Sequence, residues 1–298
     1  MRKPAKLAAV HDAHPPITAV REAVARALAE DLTPIGDLTS ALLPPELEAS
    51  ASFVPRAHGV LAGRLCAEEA MHQVDPTLEL HWDADDGDHL DAGKEFGRVT
   101  GRLARILTAE RTALNFLGRL SGVATLTARF VDAVTEVGGT LRVWDTRKTT
   151  PGLRTLEKAA VRAGGGANHR GNLSDWVLLK DNHLELLGIS AAVARARERW
   201  PGRTVHVECG GLDHVREAVA AGADVLLLDN MSADEVRAVV GEVRERNPDR
   251  PLLEVSGRLD LDSIGAYATT GADMASIGAL THSAPVLDIG LDVVVEPG

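Results

Sequence analysis

The sequence predicts an α/β protein of two domains: a small N-terminal α+β sandwich domain with an antiparallel sheet, and a C-terminal incomplete α/β barrel of about six parallel strands. Two observations favour this class. Between Ala51 and Gly101, short apolar runs alternate with turns rich in Gly and Asp, which is typical of antiparallel strands. In the second half, short β-type runs alternate with helical segments, which is typical of a parallel sheet.

The N-terminal part begins with an amphipathic helix. Apolar residues recur at three- and four-residue steps from Ile17 to Leu32, and the pattern ends near Thr33-Pro34. Strands are predicted at 51–54, 60–61 and 78–82. The acidic stretch 83–91 lacks the ligand register of a calcium loop, so we interpret it as a turn. A long helical region follows from Leu103.

Six β/α units are predicted in the C-terminal half. The strands are expected at 141–144, 176–179, 205–207, 225–228, 252–255 and 274–277. Helices are expected at 153–163, 190–200, 212–221, 233–245 and 261–270. No Gly-x-Gly-x-x-Gly joins a strand to a helix, which favours a barrel over an open nucleotide-binding sheet. We expect domains at 1–118 and 119–298, with the tail 286–298 able to pack back on the first.

Composition excludes several classes of function. The 298-residue chain has a formal net charge of −11 and 3% aromatic residues, which is unfavourable for binding nucleic acid. No apolar run is long enough to span a membrane, and the N-terminus does not resemble a secretory signal. The two cysteines lie far apart, which indicates a reducing compartment. We therefore predict a cytoplasmic protein with no nucleic-acid or membrane partner.

One segment departs from this acidic average. Between Arg142 and His183 there are eight Lys or Arg residues and four Asp or Glu residues. A basic segment in an acidic protein concentrates anions locally. Part of it, Arg154, Lys158 and Arg162, has helical spacing and is explained equally well as a solvated helix face.

Polar or glycine residues follow every predicted barrel strand. In chain order they are Asp145 to Lys148, Lys180, Glu208, Asp229, Ser256-Gly257 and Gly278. The carboxyl ends of barrel strands meet at one rim, where barrel enzymes hold their sites. A helix cap or turn explains any one of these residues more simply, but the six together favour a site on the rim.

The early strands supply cations and the middle strands supply carboxylates. Arg and Lys side chains bind carboxylates or phosphates, and such residues here are Arg147, Lys148, Arg170 and Lys180, with His169 beside them. Glu208 and Asp229 follow consecutive strands and can share a Mg²⁺ ion, the cofactor we predict. A salt bridge from these carboxylates to a rim lysine is the alternative.

The last two strands supply small residues. Ser256, Gly257 and Gly278 stand where barrels commonly bind a phosphate through backbone N–H groups. Three other features are weaker. His11 and His14 have ligand-like spacing but lie in a Pro-flanked tail that we predict to be disordered, and Cys209 is predicted to point away from Glu208 and pack.

The motifs together resemble the quinolinate phosphoribosyltransferase family, also called nicotinate-nucleotide pyrophosphorylase (carboxylating). The resemblance runs in order along nearly the whole chain, and its most specific segments are Thr146-Arg147-Lys148-Thr149 and Lys180-Asp181-Asn182-His183. The other matching segments are Ala29 to Leu32, Gly36 to Ser40, Glu110 to Asn115, Asn168-His169-Arg170 and Leu280 to Ser283.

The resemblance implies roles for the rim residues. Quinolinate would be bound by Thr146, Arg147, His169, Arg170 and Lys180, with Arg111 lent across a homodimer interface by the neighbouring subunit. Phosphoribosyl pyrophosphate would meet Lys148 and Lys180, its ribose and Mg²⁺ would meet Glu208 and Asp229, and its 5-phosphate would meet Ser256, Gly257 and Gly278. The catalytic residues would be Lys148, Lys180, Glu208 and Asp229.

The implied reaction is phosphoribosyl transfer to quinolinate with loss of CO₂, giving nicotinate mononucleotide. Two departures from the family pattern stand out. Gly171-Asn172-Leu173 follows the Asn-His-Arg segment, and His206 takes the place of a usual Glu. Two other functions remain open from the residues: a sibling enzyme acting on another ring acid, of the kind associated with molybdate transport, and a non-catalytic barrel that binds a phosphosugar.

Overall fold

The computed structural model describes residues 14–247 and 251–295. Its N-terminal elements begin with the predicted amphipathic helix, whose Val20, Val24 and Leu28 are buried. In chain order these elements are α1 (Ile17–Leu32), a 3₁₀ turn (Ser40–Leu42), β1 (Glu48–Pro55), β2 (Gly59–Val60), α2 (Arg64–Val74), β3 (Glu79–Trp82), β4 (His89–Leu90), β5 (Gly97–Arg102) and α3 (Leu103–Glu136).

The remaining elements alternate strand and helix almost without exception. They are β6 (Arg142–Trp144), α4 (Arg154–Ala163), β7 (Val177–Leu179), α5 (Asp181–Leu187), α6 (Ile189–Arg199), β8 (Val205–Cys209), α7 (Leu212–Ala220), β9 (Val225–Asp229), α8 (Ala233–Arg246), β10 (Leu252–Ser256), α9 (Ile264–Ala268), β11 (Met274–Ser276), α10 (Ala279–His282) and β12 (Ile289–Val295).

The chain forms two compact units. The first consists of the described parts of Met1–Ala128, Thr149–Gly165 and Ser283–Gly298, and the second of Arg129–Lys148 and Gly166–His282. The sequence predicts one cut between residues 118 and 119, whereas the units are interleaved along the chain. The reason is packing: α4 contacts α1, and β12 pairs with β1, so both return to the first unit.

The first unit contains a four-stranded antiparallel sheet in the order β12-β1-β5-β3. Phe53 and Trp82 stack with ring centroids 5.0 Å apart, and Phe96 lies 6.0 Å from Trp82. A Cβ on Gly97 would overlap the Trp82 ring, so the sheet needs glycine there. The tail forms β12, which pairs with β1 in the register Ala51↔Val293.

The first unit also contains His14, which the sequence predicts to be disordered. His14 lies 3.2 Å from an Asp85 carboxylate oxygen and 3.5 Å from one of Asp86. The prediction is wrong for this residue, because these contacts attach it to the acidic turn, and hydrogen bonding to Asp86 raises its pKa. His11 lies outside the described residues. The Nε of Arg64 donates to Asp85 at 3.0 Å, so a second side chain also contacts that turn.

The second unit contains six parallel strands in the order β6-β11-β10-β9-β8-β7, flanked by helices. This confirms the predicted incomplete barrel. Within the described residues β6 and β7 are the two ends of the sheet, and Ala167 forms a parallel bridge to Trp144 on β6. The predicted helix 261–270 is shortened to α9, because Asp260 and Ser263 cap each other's backbone N–H groups.

Over residues 14–247 and 251–295, no helix is both long enough and apolar enough to cross a bilayer.

Candidate active site

The strand register places several predicted residues on one face of the second unit's sheet. Glu208 pairs with Leu227, and two residues later Asp229 pairs with Ser256. Side chains two residues apart in a strand share a face, and so do register partners in a parallel sheet. Glu208, Asp229 and Ser256 therefore lie at the carboxyl end of neighbouring strands and on the same face.

Lys180 and Glu208 form an ion pair at the ends of β7 and β8. Glu208 is 12% exposed, whereas Lys180 is 46% exposed, so the lysine is the more accessible partner. The backbone N–H of Lys180 donates to Nδ1 of His183 at 3.2 Å, at the start of α5. The Lys-Asp-Asn-His spacing thus builds a helix start that holds Lys180. The salt bridge that the sequence left as an alternative is present for Glu208.

Asp229 is adjacent to Asn230, to which the sequence assigned no role. The side chain of Asn230 donates to Oδ2 of Asp229 at 2.6 Å, and its backbone N–H donates to the Ser256 carbonyl at 2.9 Å. Asn230 has φ 53°, a left-handed conformation that Asn tolerates better than most residues. Sequence alone offers one signal for it, the Asp-Asn pair at a strand end.

Gly257 fits tightly beside Asn230. It has φ +137°, and a Cβ there would lie 2.8 Å from Oδ1 and 3.2 Å from Cα of Asn230. Both the backbone conformation and the close approach therefore require glycine. Ser256-Gly257 and Asp229-Asn230 form one packed pair of strand ends.

The segment from Thr146 to Lys148 contacts Gly278 and α10, which follow β11. The backbone N–H of Lys148 donates to Oγ1 of Thr146 at 3.0 Å, and the Lys148 carbonyl accepts from Oγ1 of Thr281 at 2.8 Å. A Cβ on Gly278 would lie 2.9 Å from Cδ of Lys148. Gly278 therefore leaves the space through which the Lys148 side chain runs.

Asp145 organises the Asn-His-Arg segment, a role that the sequence did not reveal. This carboxylate is fully buried. It accepts from the backbone N–H of His169 at 2.8 Å and from the Asn168 side chain at 2.6 Å. The partners are 23 and 24 residues away, so spacing within the Asp-Thr-Arg-Lys motif could not indicate them.

Arg147 and Arg170 repel each other in the same unit. Burial lowers the pKa of Arg170, and the positive charge of Arg147 lowers it further. Nη1 of Arg170 also donates to the Trp176 carbonyl at 3.5 Å. Two guanidinium groups held this way are stabilised by an anion, so the arrangement suits a carboxylate or phosphate ligand.

A cluster of buried titratable residues lies beside these cations. Nε2 of His169 is 3.3 Å from Oε1 of Glu254, and Nδ1 of His206 is 3.7 Å from Oε2. Burial acts to raise the pKa of Glu254, but its contacts with the two histidines outweigh burial and hold the pKa at about 2. Burial lowers the pKa of His206. The sequence assigned no role to Glu254, because it precedes the strand end by two residues.

The departure at Gly171-Asn172 has a local structural solution. Oδ2 of Asp175 accepts from the backbone N–H groups of Gly171 at 2.7 Å and Asn172 at 3.4 Å, and these bonds lower the pKa of Asp175. The Asn172 side chain accepts from the Ser174 backbone N–H at 2.7 Å. The loop after Arg170 is therefore closed by its own polar groups.

Arg111 and Cys209, two other residues named from the sequence, differ in their exposure to solvent. Arg111 is exposed on α3 in the first unit. Cys209 is fully buried, and burial raises the pKa of its thiol to about 12, which fits the predicted packing role.

Glu208 and Asp229 suit a magnesium ion by the chemistry of their donors. Mg²⁺ prefers carboxylate oxygens from one or two side chains and leaves room for substrate phosphate. Both carboxylates lie on one sheet face at adjacent strand ends, as the register shows. The ion pair with Lys180 offsets part of the charge of Glu208, so Asp229 is the less neutralised of the two.

Comparison with known proteins gives a consistent result over most of the chain. Residues 37–121 match the model of the quinolinate phosphoribosyl transferase N-terminal domain, and residues 123–292 match that of the C-terminal domain. The chain is 41% identical over 280 residues to the nicotinate-nucleotide pyrophosphorylase [carboxylating] of Mycobacterium leprae, covering 92% of this chain and 97% of the relative.

Other relatives agree. The probable nicotinate-nucleotide pyrophosphorylase [carboxylating] of Bacillus subtilis is 38% identical over 263 residues, covering 88% of this chain and 89% of the relative. The solved structure of the nicotinate-nucleotide pyrophosphorylase from Francisella tularensis superposes with a TM-score of 0.88 at 38% identity, covering 94% of this chain and 97% of that one.

Proposed function

The chain belongs to the quinolinate phosphoribosyltransferase family, and from that premise we propose that it converts quinolinate and phosphoribosyl pyrophosphate to nicotinate mononucleotide, pyrophosphate and CO₂. This reaction serves NAD biosynthesis. The observation that carries the proposal is the group of cations at the strand ends of the second unit. Arg147 and Arg170 repel each other there, and Lys180 directly follows β7 in the same unit. A dicarboxylate relieves that repulsion.

In the first step, the pyridine nitrogen attacks the anomeric carbon of the ribose, and the bond to pyrophosphate breaks with its electron pair leaving on the phosphate oxygen. Lys148 neutralises the leaving group, and Glu208 or Asp229 stabilises positive charge on the sugar. The placement of Glu208 and Asp229 on one face of the sheet supports their role beside the sugar. Glu208 and Asp229 would also hold Mg²⁺, which when bound supplies further positive charge to the pyrophosphate.

In the second step, the carbon–carbon bond to the 2-carboxylate breaks and CO₂ leaves. The electron pair stays on the ring carbon, which then takes up a proton. Lys180 or Arg147 stabilises the negative charge that develops on the ring. Thr146, His169 and Arg170 orient the ring acid, which converts the attack into an effectively intramolecular event. Ser256, Gly257 and Gly278 hold the 5-phosphate, a role that the tight packing at Gly257 supports.

The test is a steady-state assay of the purified protein with quinolinate, phosphoribosyl pyrophosphate and Mg²⁺. Nicotinate mononucleotide and CO₂ are followed together, and nicotinate serves as the control acceptor. We expect equimolar product and CO₂ from quinolinate alone. Product from nicotinate, or none from quinolinate with folded protein, would contradict the proposal. In the latter case a panel of other ring acids tests the sibling function.

Two variants connect the activity to the cations. Arg147→Ala and Lys148→Ala should each lower turnover by about 10²-fold or more, as expected for losing one charge-stabilising group. Arg237→Ala is the matched control, because Arg237 is exposed on α8 and pairs only weakly with Asp234 three residues away. Near-normal turnover in both rim variants would refute the assignment.

We also propose a homodimer in which Arg111 completes the neighbouring subunit's site, and a cytoplasmic location. The exposure of Arg111 on α3 supports an interface role. The Arg111→Ala and Lys148→Ala variants should each be nearly inactive. When the two are mixed and re-associated, half the dimers are hybrids, and each hybrid has one intact site of two. The mixture should therefore recover about a quarter of wild-type activity. No recovery in hybrid dimers would mean that Arg111 acts within its own subunit or not at all.

A further inference from the structure

Glu254 is a fully buried carboxylate directly below the strand end that bears Ser256. Its two oxygens each face one histidine: Oε1 is 3.3 Å from Nε2 of His169, and Oε2 is 3.7 Å from Nδ1 of His206. Both imidazoles are buried as well. A buried carboxylate is costly unless cations or donors surround it, so the two rings are its counter-groups.

His169 connects this carboxylate to the cations of the proposed substrate site. Its backbone N–H is held by Asp145, and the next residue is Arg170. Its ring stands edge-on to Trp176, with centroids 5.0 Å apart at 68°, and edge-on to Trp144, at 6.2 Å and 78°. The tryptophans limit where the ring can lie, and Glu254 faces its Nε2 at 3.3 Å.

The charge of Glu254 follows from its surroundings. Despite burial, its contacts with His169, His206 and Ser276 keep the pKa of Glu254 at about 2, so the side chain is anionic at neutral pH. An ionised carboxylate only accepts hydrogen bonds, so it favours the His169 tautomer with a proton on the nitrogen that faces it. The negative charge of Glu254 also acts to raise the pKa of Arg170, against the effects of burial and Arg147.

We propose that Glu254 is a positioning residue for the ring-acid site: it fixes the His169 ring through Nε2, keeps the proton on that nitrogen, and offsets the repulsion between Arg147 and Arg170. The inference rests on the proposed function, in which His169 and Arg170 bind the carboxylates of quinolinate. Glu254 acts through His169 and does not itself touch the substrate. The residue thus pre-organises a cationic pocket that would otherwise repel itself.

The first test separates binding of the two substrates. Glu254→Gln preserves shape and removes the charge, so we expect the KM for quinolinate to rise about tenfold to a hundredfold, as for loss of a charged hydrogen-bond acceptor. The KM for phosphoribosyl pyrophosphate should stay within about twofold. Glu157→Gln is the matched control, because Glu157 is also fully buried but pairs with Arg119 in the first unit. It should lower thermal stability and leave the quinolinate KM unchanged.

A milder variant covers the case in which Glu254→Gln does not fold. Ser276, a buried residue on β11, is one of the groups that lower the pKa of Glu254. Ser276→Ala should raise the quinolinate KM in the same direction by a few-fold, with little change in the other KM. Equal rises in both KM values, or an unchanged quinolinate KM in every folded variant, would overturn the proposal.

A spectroscopic measurement keeps this inference separate from the proposed function. In ¹⁵N-histidine-labelled wild-type protein, we expect a slowly exchanging downfield resonance from the Nε2–H of His169, and this resonance should be absent from the His169→Gln variant. It should shift upfield in Glu254→Gln and keep its position in Glu157→Gln. This result would support the positioning role even if the wild-type protein made no nicotinate mononucleotide. His169, His206 and Glu254 offer ligand atoms within 4.8 Å of one another, so a metal site is the alternative. A stoichiometric transition metal in the wild-type protein that is lost in Glu254→Gln would overturn the positioning role.

Discussion

Gly278 controls the path of the Lys148 side chain, and Gly278→Ala tests whether that path matters. A Cβ at this position would lie 2.9 Å from Cδ of Lys148 and 3.1 Å from Nε2 of His282. Gly278 is not among the glycines with positive φ, so alanine is compatible with its backbone. The clash therefore involves side chains, and we expect the lysine to move while the fold persists.

The size of the effect follows from the distances. Carbon atoms pack best at about 3.5–4.0 Å, so Cδ of Lys148 must retreat by roughly 0.6–1 Å. The ammonium group is carried along by a similar amount. A misplacement of about 1 Å can cost on the order of 10²-fold in rate, so we expect kcat to fall about 10- to 100-fold. That corresponds to about 1.4–2.7 kcal/mol of transition-state stabilisation.

The assay is steady-state formation of nicotinate mononucleotide, with thermal unfolding measured in parallel. Gly241→Ala is the matched control, because Gly241 lies on the exposed side of α8 with nothing within 4 Å of the added Cβ. It should keep full activity and gain about 0.5–1 kcal/mol of stability. Gly278→Ala should lose activity with a change in stability below about 1 kcal/mol.

Two outcomes would refute this reasoning. Wild-type kcat in Gly278→Ala would mean that the position of Lys148 at Gly278 does not matter for the reaction. A large loss of stability would mean that the added methyl group strikes rigid structure rather than a movable side chain, and the kinetic result would then say nothing about Lys148.

Two further predictions concern carboxylates that the fold holds in place. Asp145→Asn replaces an acceptor of the His169 backbone N–H by a group that can donate. We therefore expect the KM for quinolinate to rise about tenfold in steady-state kinetics, and the free energy of unfolding to fall by about 2 kcal/mol in urea titrations. An unchanged KM for quinolinate would contradict this prediction. Asp37 accepts from Ser40, which with other bonds lowers its pKa to about 2. Because the folded pKa lies below the unfolded value, this stability is complete above about pH 4 and is lost as pH falls through about 2. Asp37→Asn should therefore lower the free energy of unfolding by about 1 kcal/mol at pH 7, after discounting for solvent screening, and by roughly half as much at pH 3. Urea titrations of the variant and the wild type at both pH values measure this difference, and a difference that does not change with pH would contradict the prediction.

Local pattern determined much of this protein. The helix at Ile17–Leu32 was predictable because a 3.6-residue apolar period reflects one buried face. The six parallel strands were predictable because strand ends, helices and turns alternate in the sequence. The same logic brought the rim residues together, since parallel strands end at one edge. The segment Thr146 to Lys148 and the pair Glu208 and Asp229 needed no three-dimensional information to be proposed.

Only the tertiary structure decided what depends on contacts between distant segments. The return of α4 and β12 to the first unit is set by packing against α1 and β1, which no local period encodes. Asp145 and Glu254 acquire their roles from partners on other segments, and each lies where a sequence pattern shows only a strand end or a strand interior. The pKa of a buried titratable group also depends on the tertiary structure, because its charge is set by the neighbours that surround it and not by the residues that precede it in the sequence.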